Sequence, residues 1–342
     1  MELEDRITKL SLLNAPSGFE DAAAECIIDM LLPYVDEVRR DVIGNVIAIK
    51  RCGKPNAVKI LLDAHMDEVG FIITGSEEGF LKFSLLGSID PRNLIGCEVT
   101  VLTTTPIFGV IACLPPHVLT KDEREKVIAV KDLYIDVGLS GEKADAVPVG
   151  TAGVFNGTAT ALAGNFVCAK ALDNRLCVAV MLDAISKLKN ERLNADLLIL
   201  VSVQEELGMR GAVTGAFDLR PDYCIAIDVT HAETPDSPKT GVFKAGKGPA
   251  IGVGPNINRA FSQKLIEICQ RKEIPYQIEV MAGSSGTDAW PIQISREGVC
   301  TAVLSVPLKY MHSPVEVANL SDAAFASDVL FFLLREWEVN HA

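Results

Sequence analysis

Residues 58–70 read VKILLDAHMDEVG: an apolar run of strand length, 58–64, that ends in His65, Asp67 and Glu68. His65 and Asp67 are two apart, so in an extended segment both side chains face the same way. Ionisable groups at the end of a buried strand are costly unless something compensates their charge. Four more segments carry the same signature. The apolar run 195–203 leads to Glu205 and Glu206, 223–229 carries Asp228, 301–306 precedes His312, and Asp173 opens a helical pattern at 172–188. Open α/β sheets bind ligands at the carboxyl ends of their strands. Five remote segments aiming polar groups at one sheet edge therefore imply a single site. The compensator that suits two imidazoles and four or five carboxylates is a pair of divalent cations, which makes the chain a metallohydrolase by expectation.

Working outward, Ile7, Leu10 and Leu13 recur at helical spacing until Ala15-Pro16-Ser17-Gly18 breaks the pattern. A second helix is expected over 20–32, stopped by Pro33, followed by a strand over 38–50 bent at Gly44. Between 69 and 164 the texture changes. Short β-like runs at 70–74, 80–86, 98–103, 108–113, 133–137 and 153–155 alternate with Gly, Pro and Asp turns, the pattern of a small barrel or sandwich. The polar stretch 115–126 reads as a loop. After Gly164 the alternation of helix and strand resumes. It comprises strands at 195–203, 223–229, 276–281 and 301–306, helices at 172–188 and 262–272, and a last helix over 322–339 capped by Ser321. The expected fold is α/β, with one layered domain built from 1–68 and 165–342 and a β-rich domain, 69–164, inserted into it.

A chain of 342 residues suits two domains better than one core, and 49% hydrophobic with 23% charged residues is a globular composition. The net charge of -13 argues against nucleic acid or an anionic membrane as partner. Nine cysteines, odd in number and without a CxxC pair, fit a disulfide framework poorly and point to a reducing, cytoplasmic setting. MELEDRITKL lacks the basic-then-apolar order of a signal peptide. No apolar run approaches the roughly twenty residues of a membrane span.

The spacing also suggests roles. A metal-bound imidazole usually donates its second N–H to a carboxylate; Asp67 either orients His65 in this way, the favoured reading, or ligates directly. Asp173, at a helix start where the dipole keeps it ionised, is placed to bridge two cations. Glu205 and Glu206 are adjacent, so their side chains diverge, one to a metal and one to the substrate as a base. Two-metal hydrolases hold their ions about 3.5–4 Å apart and lower a water's pKa to about 7. A glutamate then moves the proton from that water to the leaving amine.

The segments AHMDEVGF (64–71), KALDNR (170–175), QEELGMRGA (204–212), AIDVTHA (226–232), GSSGTDA (283–289) and KYMHSPVE (309–316) resemble the tetrahedral aminopeptidase family. That family includes glutamyl and deblocking aminopeptidases and some members labelled endoglucanase. The likeness runs from APSGFE at 15–20 to the final helix. It is the ordered set that is specific; one motif alone is weak. The resemblance implies a zinc-exopeptidase-like sheet sandwiched by helices and a dizinc or dicobalt exopeptidase acting on short peptides. His65 and Asp228 would hold one metal, Glu206 and His312 the other, Asp173 would bridge them, Glu205 would be the general base, and Asp67 would orient His65. The β-rich insertion would be a PDZ-like dimerisation domain, with dimers assembling into a hollow tetrahedral dodecamer. Zn²⁺ is the first candidate, although His and carboxylate ligands suit Co²⁺ and Mn²⁺ alike.

Each residue also has an ordinary reading. His65 alone would be a satisfied core histidine, and Asp173 and Asp228 could simply bond backbone N–H groups. Asp63 alternates with His65 and competes as a ligand. His231, three after Asp228, and Thr287 and Asp288, after the flexible GSSG stretch, are expected at the substrate. His117 and His341 are not expected to take part. An acidic substrate preference would need a cation in the pocket, and Arg210, Lys247 and Arg259 are conceivable donors. Three other functions compete. One is deacylation of N-acyl amino acids. Another is glycoside cleavage, which needs a carboxyl pair and no metal cluster. The third is a metal-stabilised scaffold, which should lack a ligand or a base.

Overall fold

The computed structural model describes residues 1–139, 146–235 and 237–337. Its main sheet has four parallel strands at its centre, in the order Asp196–Ser202, Lys59–His65, Tyr223–His231, Cys300–Lys309. Antiparallel strands extend it on both sides: Val46–Lys50 and Glu37–Arg40 on one, Glu316–Asn319, Phe166–Ala169 and Thr160–Leu162 on the other. Ala250–Val253 branches antiparallel from Cys300–Lys309 and pairs in parallel with Gln277–Val280.

Alternation divides each central strand between two faces. Ile60, Leu62, Leu197 and Ile199 pack with the helices Leu3–Ser11, Asp21–Leu31, Leu172–Lys187, Arg259–Lys272 and Leu320–Arg335. Leu61, Leu198 and Leu200 face the opposite layer, where Ala212 and Ala216 of helix Arg210–Leu219 and Ile292 of the short helix Ala289–Ile292 cover them. The sheet is thus sandwiched by helices. Two of its central strands end level, Ser202 opposite His65, and on the other two Asp228 lies opposite Ser305, three residues before the first of them ends.

Six strands among the described residues close a barrel in the order Gly70–Glu77, Phe80–Leu86, Tyr134–Asp136, Ile107–Ala112, Glu98–Val101, Ala152–Phe155. These are the six runs expected from sequence. The barrel has its own core, in which Phe71 stacks edge-on against Phe83 and Phe155.

Several expectations are corrected. Residues 38–50 are not one bent strand but an antiparallel hairpin, because Asp41 gathers the backbone N–H groups of Ile43, Gly44 and Asn45 into a turn. The last helix is capped by Asn319, whose side chain accepts from the Ser321 N–H at 2.9 Å; Ser321 lies inside the helix and its hydroxyl accepts from Asn165. That helix ends at Arg335, and its expected continuation beyond 337 lies outside the described residues, as does His341. The expected loop 115–126 contains a short 3-10 turn, Pro116–Val118, and one helical turn, Lys121–Arg124. Helix Arg210–Leu219 and strand Ala250–Val253 were not foreseen. Among the described residues, no helix is long and apolar enough to cross a membrane.

Candidate active site

The carboxyl ends of the central strands bring the remote ionisable residues into one cluster. Asp173 is its middle. One of its oxygens lies 3.2 Å from His65 Nε2 and the other 3.2 Å from His312 Nε2. His65 Nε2 is also 3.9 Å from both Asp228 Oδ1 and Glu205 Oε2, and His312 Nε2 is 3.1 Å from Glu206 Oε1. The ligand atoms of His65, Asp173 and Asp228 lie within 4.8 Å of one another, as do those of Asp173, Glu206 and His312, and those of His65, Glu205 and Glu206.

Backbone geometry sets these positions. The regular part of helix Leu172–Lys187 begins beyond Asn174; Asp173 and Asn174 are themselves non-helical, and Asn174 anchors the turn by donating to the Ile227 carbonyl at 2.9 Å. His312 has a left-handed backbone, φ 60, a strained conformation of the kind that persists at functional sites when the surroundings hold it. Here Glu316 holds it: one oxygen accepts the His312 N–H at 2.8 Å and the other accepts the Asp173 N–H at 3.0 Å.

The far ring nitrogens are also engaged. His65 Nδ1 faces the Asp67 carbonyl at 3.2 Å and its carboxylate at 3.4 Å. His312 Nδ1 donates to the Ser88 carbonyl at 2.6 Å. A donor N–H at Nδ1 leaves each Nε2 free to accept, which is the tautomer a metal ligand requires. Asp67 accepts from the Ser17 hydroxyl and from the Glu205 and Glu206 N–H groups, at 3.0 and 3.2 Å, so it also clamps the loop that carries both glutamates.

Electrostatically the cluster holds too much negative charge for the company it keeps. Burial pushes the Glu205 carboxyl up to about 10, with repulsion from Asp288, Asp228 and Glu206 adding to it and His65 opposing. Burial likewise raises Glu206 and Asp228, aided by Asp173. Burial pulls His312 down, but Asp173 and Glu206 outweigh it and hold the imidazole up at about 11. His65 is raised in the same way, against burial, by Asp173 and Asp67. The set is hard oxygen and imidazole nitrogen throughout, a donor chemistry that fits divalent cations.

A cavity of about 370 Å³ opens onto the cluster. Thr287 and His231 line it beside Glu205, Glu279, Met281 and Met311. Asp288 does not: it is buried behind the site, accepts from the Ser202 hydroxyl at 2.6 Å, and faces Asp63. Asp63 is buried beside Asp288 and does not line the cavity, and burial followed by the Asp288 charge raises its carboxyl well above the usual range. None of Arg210, Lys247 and Arg259 lines the cavity. His117 does not line it either.

Ser17, Ser88, Glu279 and Glu316 went unnoticed in the sequence. Ser17 and Glu316 do lie inside the quoted segments APSGFE and KYMHSPVE, the one signal that pointed toward them.

Comparisons with known proteins converge on one family. The family model of the M42 glutamyl aminopeptidase matches residues 44–329. A lysyl aminopeptidase of Pyrococcus furiosus is 38% identical over 328 residues, covering 94% of this chain and 93% of that protein. The solved TET aminopeptidase of the marine sediment archaeon Thaumarchaeota archaeon SCGC AB-539-E09 superposes with a TM-score of 0.93 at 31% identity over 98% of both chains. The TET1 peptidase of Pyrococcus horikoshii, which can assemble into a tetrahedron or a large octahedral shell, does so at 0.86 with 33% identity, covering 98% of this chain and 100% of that one.

Proposed function

The chain belongs to the M42 glutamyl aminopeptidase family and is a metallo-aminopeptidase, and from that premise we propose that it removes N-terminal residues from short peptides at a two-cation centre built around Asp173. In this reading His65 and Asp228 would hold one cation and Glu206 and His312 the other, with Asp173 shared between them. The observation that carries it is that opposite oxygens of one carboxylate face two imidazoles, each at 3.2 Å. Zn²⁺ is the first candidate, with Co²⁺ and Mn²⁺ suited to the same donors.

When bound, such a cation pair would supply Lewis acidity and a lowered pKa for bound water. The chain's own residues do the rest. Glu205 is absent from both groups that contain Asp173, although it forms a third with His65 and Glu206; in this reading its carboxylate takes the water's proton and delivers it to the departing amine. Asp67 fixes the tautomer of His65 and, through the Glu205 N–H, the position of the base. Thr287 and His231 border the substrate; Asp288 supports the site from behind. The β-barrel region 69–164 serves as a dimerisation domain inserted between 1–68 and 165–342, and dimers build a tetrahedral dodecamer that admits peptides. Nine free cysteines suit a cytoplasmic location.

The test is a metal-reconstituted assay on aminoacyl chromogenic substrates, free and N-acetylated. Glu205→Gln should keep its metal content and lose roughly 10²–10⁴-fold in kcat. Unaltered turnover would remove Glu205 from the mechanism, and preferential cleavage of acetylated substrates would make the enzyme a deacylase.

A further inference from the structure

We propose that Glu279 is the specificity-determining residue of this site and that it selects a cationic N-terminal side chain, lysyl or arginyl. The proposal rests on the aminopeptidase reading above. Glu279 sits on strand Gln277–Val280 and lines the cavity that holds His65 and Glu205. Its two oxygens are held by neutral donors, the Thr230 hydroxyl at 2.6 Å and the Ser305 hydroxyl at 2.8 Å. Among the described residues, no lysine or arginine lines the cavity, and no ion pair to Glu279 is formed. The result is a half-buried carboxylate, pinned in place, facing a ligand cavity with no lysine or arginine beside it. An incoming ammonium or guanidinium completes it with a charge-assisted bond.

Its distance from the chemistry fits a side chain rather than the peptide's own amino group. Thr230 is two residues beyond Asp228 on one strand and on the same face, a step of about 7 Å. A lysine Nζ reaches about 6 Å from its Cα through four methylenes, whereas the α-amino nitrogen is one bond from Cα and stays beside the cluster. Met281 and Met311 also line the cavity and offer apolar surface to those methylenes. A glutamyl side chain would meet Glu279 as a like charge. The chain should therefore disfavour the acidic residue for which its family model is described.

The experiment uses the full-length, metal-loaded protein and compares kcat/KM on lysyl, arginyl, norleucyl and glutamyl p-nitroanilides. Norleucine has the lysine stem without the charge. Lysyl or arginyl should exceed norleucyl by about 10–100-fold, the worth of one hydrogen-bonded charge, with glutamyl lowest. In Glu279→Gln and in Glu279→Ala the lysyl-to-norleucyl ratio should fall toward one. In parallel, calorimetry should show L-lysinamide binding more tightly than L-norleucinamide, and that difference should vanish in both variants. Equal native rates for lysyl and norleucyl, or a loss in the variants that is the same for every substrate, would overturn the proposal, the latter marking a structural or α-amine role. If no anilide is cleaved, the peptidase reading itself falls, and the binding comparison still decides whether Glu279 reads a cationic side chain.

Discussion

Replacing Arg175 by methionine should loosen the N-terminal arm from the site. The side chain is 0% exposed. Its guanidinium donates to the carbonyls of Met66 at 2.8 Å, Ala15 at 3.1 Å, Leu10 at 3.3 Å and Leu13, and to Glu68 at 3.1 Å. It therefore ties the segment that carries Ser17 to the segment that carries His65 and Asp67. Breaking a buried ion pair by removing one partner costs about 3–5 kcal/mol. Here Glu68 keeps Lys170 at 2.7 Å, Leu13 keeps the Lys170 ammonium at 3.1 Å, and Ala15 keeps the Glu68 N–H at 3.1 Å. The loss belongs at the lower end, about 3 kcal/mol, and lowers Tm by about 6 °C at about 2 °C per kcal/mol for a chain of this size. Scanning calorimetry in chelator at fixed protein concentration measures it without metal or assembly linkage.

The pH dependence has a definite sign. Burial pushes the Glu68 carboxyl up, but Lys170 and Arg175 hold it below its usual range. Stability from a depressed carboxyl is present above the unfolded pKa and lost as pH falls through the folded one. The gap between native and variant should be full at neutral pH and narrow in acid. A fall in Tm of under about 2 °C at pH 7, less than 1 kcal/mol, would refute the role given to the guanidinium.

Ser17→Ala removes the hydroxyl bound to Asp67 and leaves the two loop amides; kcat/KM or metal affinity should fall about 10–100-fold, and unchanged initial rates would mean the amides suffice. Cation uptake should be strongly pH-dependent. His65 and His312 are held above the usual imidazole range, and Glu206 and Asp228 above the usual carboxyl range, so each ligand that carries a proton must lose it to bind. Affinity should then rise with pH, about 10-fold per pH unit for each proton released, and calorimetry in buffers of different ionisation enthalpy that finds no proton release would contradict this. Gly153→Ala would place a Cβ 2.1 Å from Phe71 Cζ in the barrel core. Overpacking of that kind costs about 1–3 kcal/mol, so a native melting profile would show that the buried ring has room to move.

Much of the architecture was legible because it rests on local periodicity. The continuous apolar runs 58–64 and 195–203 report strands covered on both faces, and the structure packs both faces of each. The barrel strands are legible for a like reason: Gly, Pro and Asp bound each one. Helix Arg210–Leu219 escaped because its pattern is dictated by a neighbour. Side chains at Gly211 and Gly215 would strike Val203 at 2.5 Å and Leu200 at 2.6 Å, so two poor helix formers stand where the strand approaches most closely. The Asp41 turn inside the 37–50 hairpin was hidden likewise, since a carboxylate gathering three N–H groups leaves no periodic trace.

From the chain alone come the kinds of donor, their order, and their place at the ends of buried strands, since these depend only on residue type and nearest-neighbour pattern. Folding alone decided which of them meet. It set Asp173 between two imidazoles, turned Asp288 inward to Asp63, enlisted Glu316 and the Ser88 carbonyl as supports, and faced Glu279 into the cavity. Those pairings join residues tens to hundreds of positions apart. Register and twist between strands fix such distances, and no local spacing encodes them.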